Sequence, residues 1–228
     1  MKNRSVVFCV VLTLPCALAQ LSRTGGRAEG ATKPLDVKID RFDASDAVFR
    51  DGLSVLSLNN VEGLHLGFEE VIRNKIQDDP RAQGPTFSIH LEGKTVREIL
   101  DELCRSDVRY VWSEDEYSVN VYPRETIDDS DYLLNLWIGN IAVTSIPDPD
   151  QALTPLSKLF PHQQIGYFGP GLGDNSYGAP WSVHFENLRV RQFINRVSEH
   201  MGPRTSWVWE GGRQERMFTF LKGGFHSR

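Results

Sequence analysis

Cysteine is scarce in this chain of 228 residues, which has only Cys9, Cys16 and Cys104. The first two fall in an N-terminal segment read below as a signal peptide, so its removal leaves Cys104 alone. A single thiol excludes a disulfide scaffold. Cys104 lies on the apolar stripe of an expected helix, where a buried, unreactive thiol is the expectation rather than a nucleophile or a metal ligand. Long hydrophobic runs are also missing. The one apolar run near the N-terminus, residues 6–14, is too short to span a bilayer, and nothing after it approaches the roughly eighteen residues a transmembrane helix needs. Basic excess is lacking too: without Lys2 and Arg4 the count is 23 basic against 30 acidic side chains, a net charge of −7. Binding of phosphate backbones needs clustered Lys and Arg, so nucleic acid is not an expected partner.

What is present begins with a charged start (Lys2, Arg4), the apolar run, and Ala17-Leu-Ala19 as a small-x-small cleavage signal. Residues 1–19 read as a secretory signal peptide. A retained anchor and a lipoprotein signal acylated at Cys16 are the other readings; Pro15 stands where the second of these expects a small residue. Residues 20–34, rich in Gly, Ser, Arg and Thr, read as a flexible leader.

The chain then repeats itself. Phe87-Ser-Ile-His-Leu-Glu-Gly-Lys-Thr-Val-Arg-Glu-Ile-Leu100 aligns without gaps on Trp181-Ser-Val-His-Phe-Glu-Asn-Leu-Arg-Val-Arg-Gln-Phe-Ile194, with identity at Ser, His, Glu, Val and Arg. Gly52-Leu-Ser-Val-Leu-Ser57 matches Ala152-Leu-Thr-Pro-Leu-Ser157 in the same way. The helix matches are 100 residues apart and the later matches 94, so the second copy has the shorter intervening loop. The expectation is α+β: two tandem small domains at 35–124 and 132–222, each of βαβ-type units with a short mixed sheet packed on two helices. An acidic linker at 125–131 separates them and residues 223–228 form a tail.

Within the first copy, alternation over 35–42 predicts a strand, and Asp43, Ser45 or Asp46 should cap a helix running to about Asn59. Residues 64–68 return as a strand, and 69–86 read as a polar loop or short helix. Phe87, Ile89 and Leu91 share one strand face, with Ser88, His90 and Glu92 on the other. Thr95 and Glu98 form a capping box before the stripe Val96, Ile99, Leu100, Leu103 and Cys104. A hairpin over 108–122 closes the copy. In the second, residues 132–146 read as one strand or a bent pair, and Asp148-Pro149 opens a helix. The stripe of Val190, Phe193, Ile194 and Val197 follows the repeated strand, and a hairpin of 206–209 with 217–221 ends it.

Residues 167–180 form a Gly-rich stretch bearing Tyr167, Phe168 and Tyr177, the candidate partner-binding residues. The stretch lacks the Lys of a P-loop and the helix-opening Gly-x-Gly-x-x-Gly of a dinucleotide site. Clustered Asp at 128–131 lacks the spacing and distal Glu of a calcium loop.

The element order, with Phe42-Asp43 at the opening and Gly52-Leu-Ser-Val-Leu56 on the first helix, resembles the secretin and TonB N-terminal short domain (STN). The match covers 37–123 and, more loosely, 132–222. The resemblance implies a bacterial envelope protein whose domains bind other proteins beside outer-membrane secretins and transducing receptors. It supplies no catalytic residues. No barrel follows the second copy in this sequence, so the expectation is a free-standing exported protein, accessory to a secretin-type or TonB-type assembly.

His90-x-Glu92 and His184-x-Glu186 occupy equivalent positions and are the one pattern suited to metal binding or proton transfer. Duplication copies such pairs without a site, and both fall on the polar strand face. No catalytic, cofactor or metal residue is assigned. The functional expectation is a non-catalytic protein-interaction module. A periplasmic protein binding a small ligand or glycan through the aromatic residues of 167–181 and 207–209 is the other reading, and a hydrolase or metal enzyme a third.

Overall fold

In the computed structural model, which describes residues 33–71, 84–116, 118–146, 149–161, 166–168, 181–202, 205–211 and 216–222, both copies of the repeat build the same parts. The first gives β1 (Lys38–Ala47), α1 (Phe49–Leu58), β2 (Leu66–Glu69), β3 (Phe87–Thr95), α2 (Val96–Ser106), β4 (Tyr110–Glu114) and β5 (Val119–Pro123). The second gives β6 (Trp137–Ile138), β7 (Ile141–Ile146), α3 (Pro149–Leu159), β8 (Gly166–Phe168), β9 (Trp181–Phe185), β10 (Leu188–Arg189), α4 (Val190–His200), β11 (Thr205–Gly211) and β12 (Arg216–Lys222). The signal peptide, most of the leader, most of 69–86 and the tail lie outside the described residues.

The duplication is visible in strand register. In the β1–β3 ribbon Phe42 pairs with Leu91, Ala44 with Ile89 and Ala47 with Phe87, with a bulge between Ala44 and Ala47. In β7–β9 the pairs are Ile141 with Phe185, Val143 with Val183 and Ile146 with Trp181, with a bulge between Val143 and Ile146. Each β9 residue follows its β3 counterpart by the same 94 positions found in the sequence repeat.

That bulge moves the start of α1. Asp43, Ser45 and Asp46 were expected as caps, but the strand runs through all three, and Asp46 takes a positive φ of 48°. The Asp46 N–H donates to Ser88 Oγ at 3.1 Å. The cap role passes to Val48, whose N–H donates to Asp51 Oδ2 at 3.4 Å. In α2 the capping box forms as the sequence predicts: Glu98 N–H donates to Thr95 Oγ1 at 3.2 Å, and Thr95 N–H to Glu98 Oε2 at 2.9 Å. Val96, Ile99, Leu100 and Leu103 on the stripe are fully buried. Cys104 is half-buried, and burial, with Asp101 nearby, pushes its thiol up to about 12, where it stays protonated.

Each copy was expected to hold its own short sheet; instead, beside the two-stranded pairs β1–β3, β6–β10 and β7–β9, strands of both copies join one shared sheet. Its order is β4-β5-β2-β11-β12-β8, three strands from each half. Residues from Thr32 onward form one compact unit. The segment 125–131, expected as a solvated linker, is exposed at every position except Thr126. A 3-10 turn spans Arg124–Thr126, Thr126 is buried, and Asn135 Nδ2 donates to Thr126 O at 2.6 Å and to Asp129 O at 2.9 Å.

Strand direction shows how the halves are related. β4 runs antiparallel to β5, β5 parallel to β2, β2 parallel to β11, β11 antiparallel to β12, and β12 parallel to β8. Across the sheet, the order of hairpin strand, hairpin strand, single strand occurs twice in the same sense, with every direction reversed in the second set. Such a relation is a half-turn about the axis crossing the strands, so the helix pairs must lie on opposite faces. The cores follow suit. Leu53, Leu56, Ile99 and Leu100 of α1 and α2 share a cluster with Leu66, Phe68, Val121 and Val208. Ala152, Leu156, Phe193 and Ile194 of α3 and α4 cluster with Trp207, Trp209, Phe218 and Phe220. β11 therefore serves both cores, alternate residues going to opposite faces.

Leu100→Ala and Ile194→Ala each delete a fully buried side chain and should cost about 2–5 kcal/mol in urea unfolding, whereas His90→Ala should change stability by no more than about 0.5 kcal/mol. The hydrogen bond from Lys94, then that from the Thr95 N–H, lowers the Glu98 carboxyl from 4.5 to about 2. A lowered carboxyl contributes above its unfolded value and loses that contribution as pH falls through the folded one. The Glu98 cap should therefore be intact above pH 4.5 and fail as pH falls toward 2, which NMR titration of its side-chain carboxyl will follow.

Candidate functional site

The sequence directs attention first to the two His-x-Glu pairs, and the structure separates them. His90 Nδ1 contacts Asp43 Oδ1 at 2.8 Å, its cross-strand neighbour in β1, rather than Glu92. The hydrogen bond from His90, then that from Arg41, lowers the Asp43 carboxyl. His184 Nε2 does meet Glu186 Oε1, at 3.1 Å. Both histidines are exposed and each has one carboxylate partner. Among the described residues no group of three or more His, Cys, Asp or Glu side chains stands together to hold a metal ion. His200 stacks on Trp181 with centroids 4.6 Å apart, and burial there lowers its pKa.

Of the candidate partner-binding residues, Tyr177 lies outside the described residues. Tyr167 and Phe168 were expected to open a loop but belong to β8, opposite Phe218 and Thr219 of β12. They stand at the end of the shared sheet. Trp207 and Trp209, candidates for a ligand or glycan surface, are buried in the second core.

Among the described residues, buried charged side chains gather where β2 meets β11. Trp207, Val208 and Trp209 pair with Gly67, Phe68 and Glu69. Gly67 is needed there because a Cβ would strike the Trp207 ring and stand 2.8 Å from Asn120 Oδ1. At one end of the pairing a His65 ring nitrogen contacts Thr205 O at 3.0 Å and Leu66 N–H donates to Ser206 Oγ at 3.4 Å. At the other end Glu70 N–H donates to Trp209 O at 3.0 Å.

Three acids at that end are buried: Glu69, Glu70 and Glu210. Arg50 Nη1 of α1 bridges Glu70 Oε1 at 2.9 Å and Glu210 Oε2 at 2.6 Å, and Thr219 Oγ1 donates to Glu210 Oε1 at 3.3 Å. Arg191 of α4 holds both Glu69 oxygens, Nε to Oε1 and Nη2 to Oε2 at 3.1 Å. Its Nη1 donates to Asn135 Oδ1 at 2.9 Å, and its guanidinium lies 4.6 Å from the Tyr122 ring centroid. Burial alone would lower both arginine pKa values. The carboxylates outweigh it and raise them, so both guanidiniums stay charged. A second bridge runs from Trp207 Nε1 to Asn195 Oδ1 at 2.8 Å and from Asn195 Nδ2 to Asp115 Oδ2 at 3.0 Å. Glu69, Glu70 and Glu210 are each engaged by a guanidinium, an arrangement that fixes register and orientation.

No sequence pattern marks Arg50, Glu69, Glu70 or Glu210. Arg50 and Glu210 are separated by 160 positions and Glu69 and Arg191 by 122. Arg191 and its repeat counterpart Arg97 are identical in type yet differently used. Arg97 stays in its own half, 3.4 Å from Glu114 and 5.4 Å from the Trp112 ring centroid.

No protein-family model, no curated protein and no solved structure matches this chain.

Glu69→Gln leaves Arg191 buried beside a neutral partner and should cost about 3–5 kcal/mol in urea unfolding followed by tryptophan fluorescence. Replacing both partners with Leu at 69 and Met at 191 should recover most of that loss, giving a strongly non-additive double-mutant cycle.

Proposed function

We propose that this chain is a non-catalytic protein-interaction module, exported to the bacterial cell envelope and accessory to a secretin-type or TonB-type assembly. The observation that carries the reading is the pair of open ends of the shared sheet, β4 on one side and β8 on the other, beyond which no further strand pairs among the described residues. An unpaired edge offers a row of backbone donors and acceptors to a partner strand.

The outer edge of β4 can be specified. Arg124 N–H donates to Arg109 O at 2.7 Å and Asp115 N–H to Ser118 O at 2.8 Å, which marks 109 and 115 as residues bonded to β5. By the alternation of an antiparallel ladder, Trp112 and Glu114 turn their backbone groups away from β5. Val108, just before the strand, is exposed. The resemblance to STN domains supports the same reading, since those domains serve to bind other proteins. The burial of Trp207 and Trp209 removes two aromatic residues from the ligand or glycan alternative.

Cross-linking in the native envelope with a carboxylate-directed reagent, read by mass spectrometry, tests the proposal. Cross-links from Glu114 or Glu116 to a protein are expected. Co-purification of a glycan or metal ion with no protein cross-link would sink it.

A further inference from the structure

The two open ends are not alike, and the junction inside the molecule shows what fits between them. There β2, the single strand of the first half, pairs in parallel with β11, the first hairpin strand of the second half. At the outer ends the same two kinds of strand stand unpaired among the described residues: β8 is the single strand of the second half and β4 the first hairpin strand of the first half. β8 runs parallel to β12 as β2 runs parallel to β5, and β4 runs antiparallel to β5 as β11 does to β12. Applying the junction's half-turn once more places β4 of a second molecule beside β8 of the first, again in parallel.

We propose that the β8 edge of one molecule pairs in parallel with the β4 edge of a second copy of this chain, continuing the six-stranded sheet head to tail. The inference rests on the interaction-module reading and names its partner. Three observations support it. The internal junction pairs only three residues on each strand, so the three residues of β8 suffice for a contact of the same kind. Arg97 of α2 stands beside β4, and Arg191 at the same repeat position of α4 reaches Glu69 of β2 at the internal junction, so the open edge presents the arginine found at the closed one. Charge is also divided unevenly: residues 35–124 carry 18 acidic and 11 basic side chains, and residues 132–222 carry 7 and 8. Head-to-tail contact brings the acidic half against the near-neutral half, while pairing β4 with β4 would set two acidic halves together.

The outer contact should be weaker than the internal one. β8 carries no acidic residue, so the acid that anchors Arg191 has no counterpart at the β8 end. Because unlike surfaces meet, the association is heterologous and grows as a series rather than stopping at a two-fold dimer.

The test is sedimentation and hydrogen exchange of the full chain across concentration. The average mass should rise continuously from monomer through dimer and beyond. The amides of Trp112 and Glu114 and those of β8 that turn away from β12 should gain protection together. Glu114→Pro removes an outward-facing edge N–H without touching the β4–β5 ladder and should weaken association by about tenfold or more. Exchange on the unmodified chain decides the matter even if that variant fails to fold. A monomer at all concentrations to about 0.5 mM, or a closed dimer protected at one edge alone, overturns the proposal. If the chain stays monomeric and envelope cross-links place a different protein on β4 or β8, the copy-to-copy contact is wrong and the interaction-module reading stands. With neither self-association nor protein cross-links, both fall.

Discussion

The parallel pairing of β2 with β11 is the contact on which the rest of the molecule depends. It carries few backbone bonds, and two arginine clusters hold its far end. Taking Glu69, Glu70 and Glu210 out of water is costly, and only close guanidinium partners offset that cost. The raised pKa of Arg50 and of Arg191 shows that attraction prevails over desolvation at both. Each arginine comes from a helix of one half and reaches an acid on a strand of the other, so the pairing can form only when both helix pairs are in place.

The half-turn between the halves explains the residues of β11. In a strand with one covered face, apolar and polar residues alternate; β11 is covered on both faces and carries Trp207, Val208 and Trp209 in succession, all buried. Val208 completes the first core and the two tryptophans the second. The first core therefore borrows Val208 of β11 from the second half, while the second core is built from residues 132–220 alone. The same geometry leaves the sheet with unlike ends, since a strand order repeated in one sense cannot close on itself.

Positions common to the two copies find different neighbours. The repeated histidines sit on solvent-facing strand faces with one carboxylate each, and with different partners: a cross-strand Asp for His90 and the Glu two residues on for His184. The repeated arginine is more telling, because a single position serves as an edge residue in one copy and as a buried junction residue in the other. Duplication supplied the same side chain twice, and the neighbour it found decided its use.

Local and repeating features were legible in the sequence. The stripes of α2 and α4, the Thr95–Glu98 capping box, the α+β class and the 94-residue offset all rest on interactions between residues close in the chain or on similarity between copies. The start of α1 was misplaced because a bulge, settled by pairing with β3, carried the strand through Asp43, Ser45 and Asp46. The shared sheet, the buried ion pairs and the identity of the open edges were decided by tertiary structure alone. They depend on which strand edges meet, and backbone hydrogen bonds between edges carry no signature in the side chains that a sequence records.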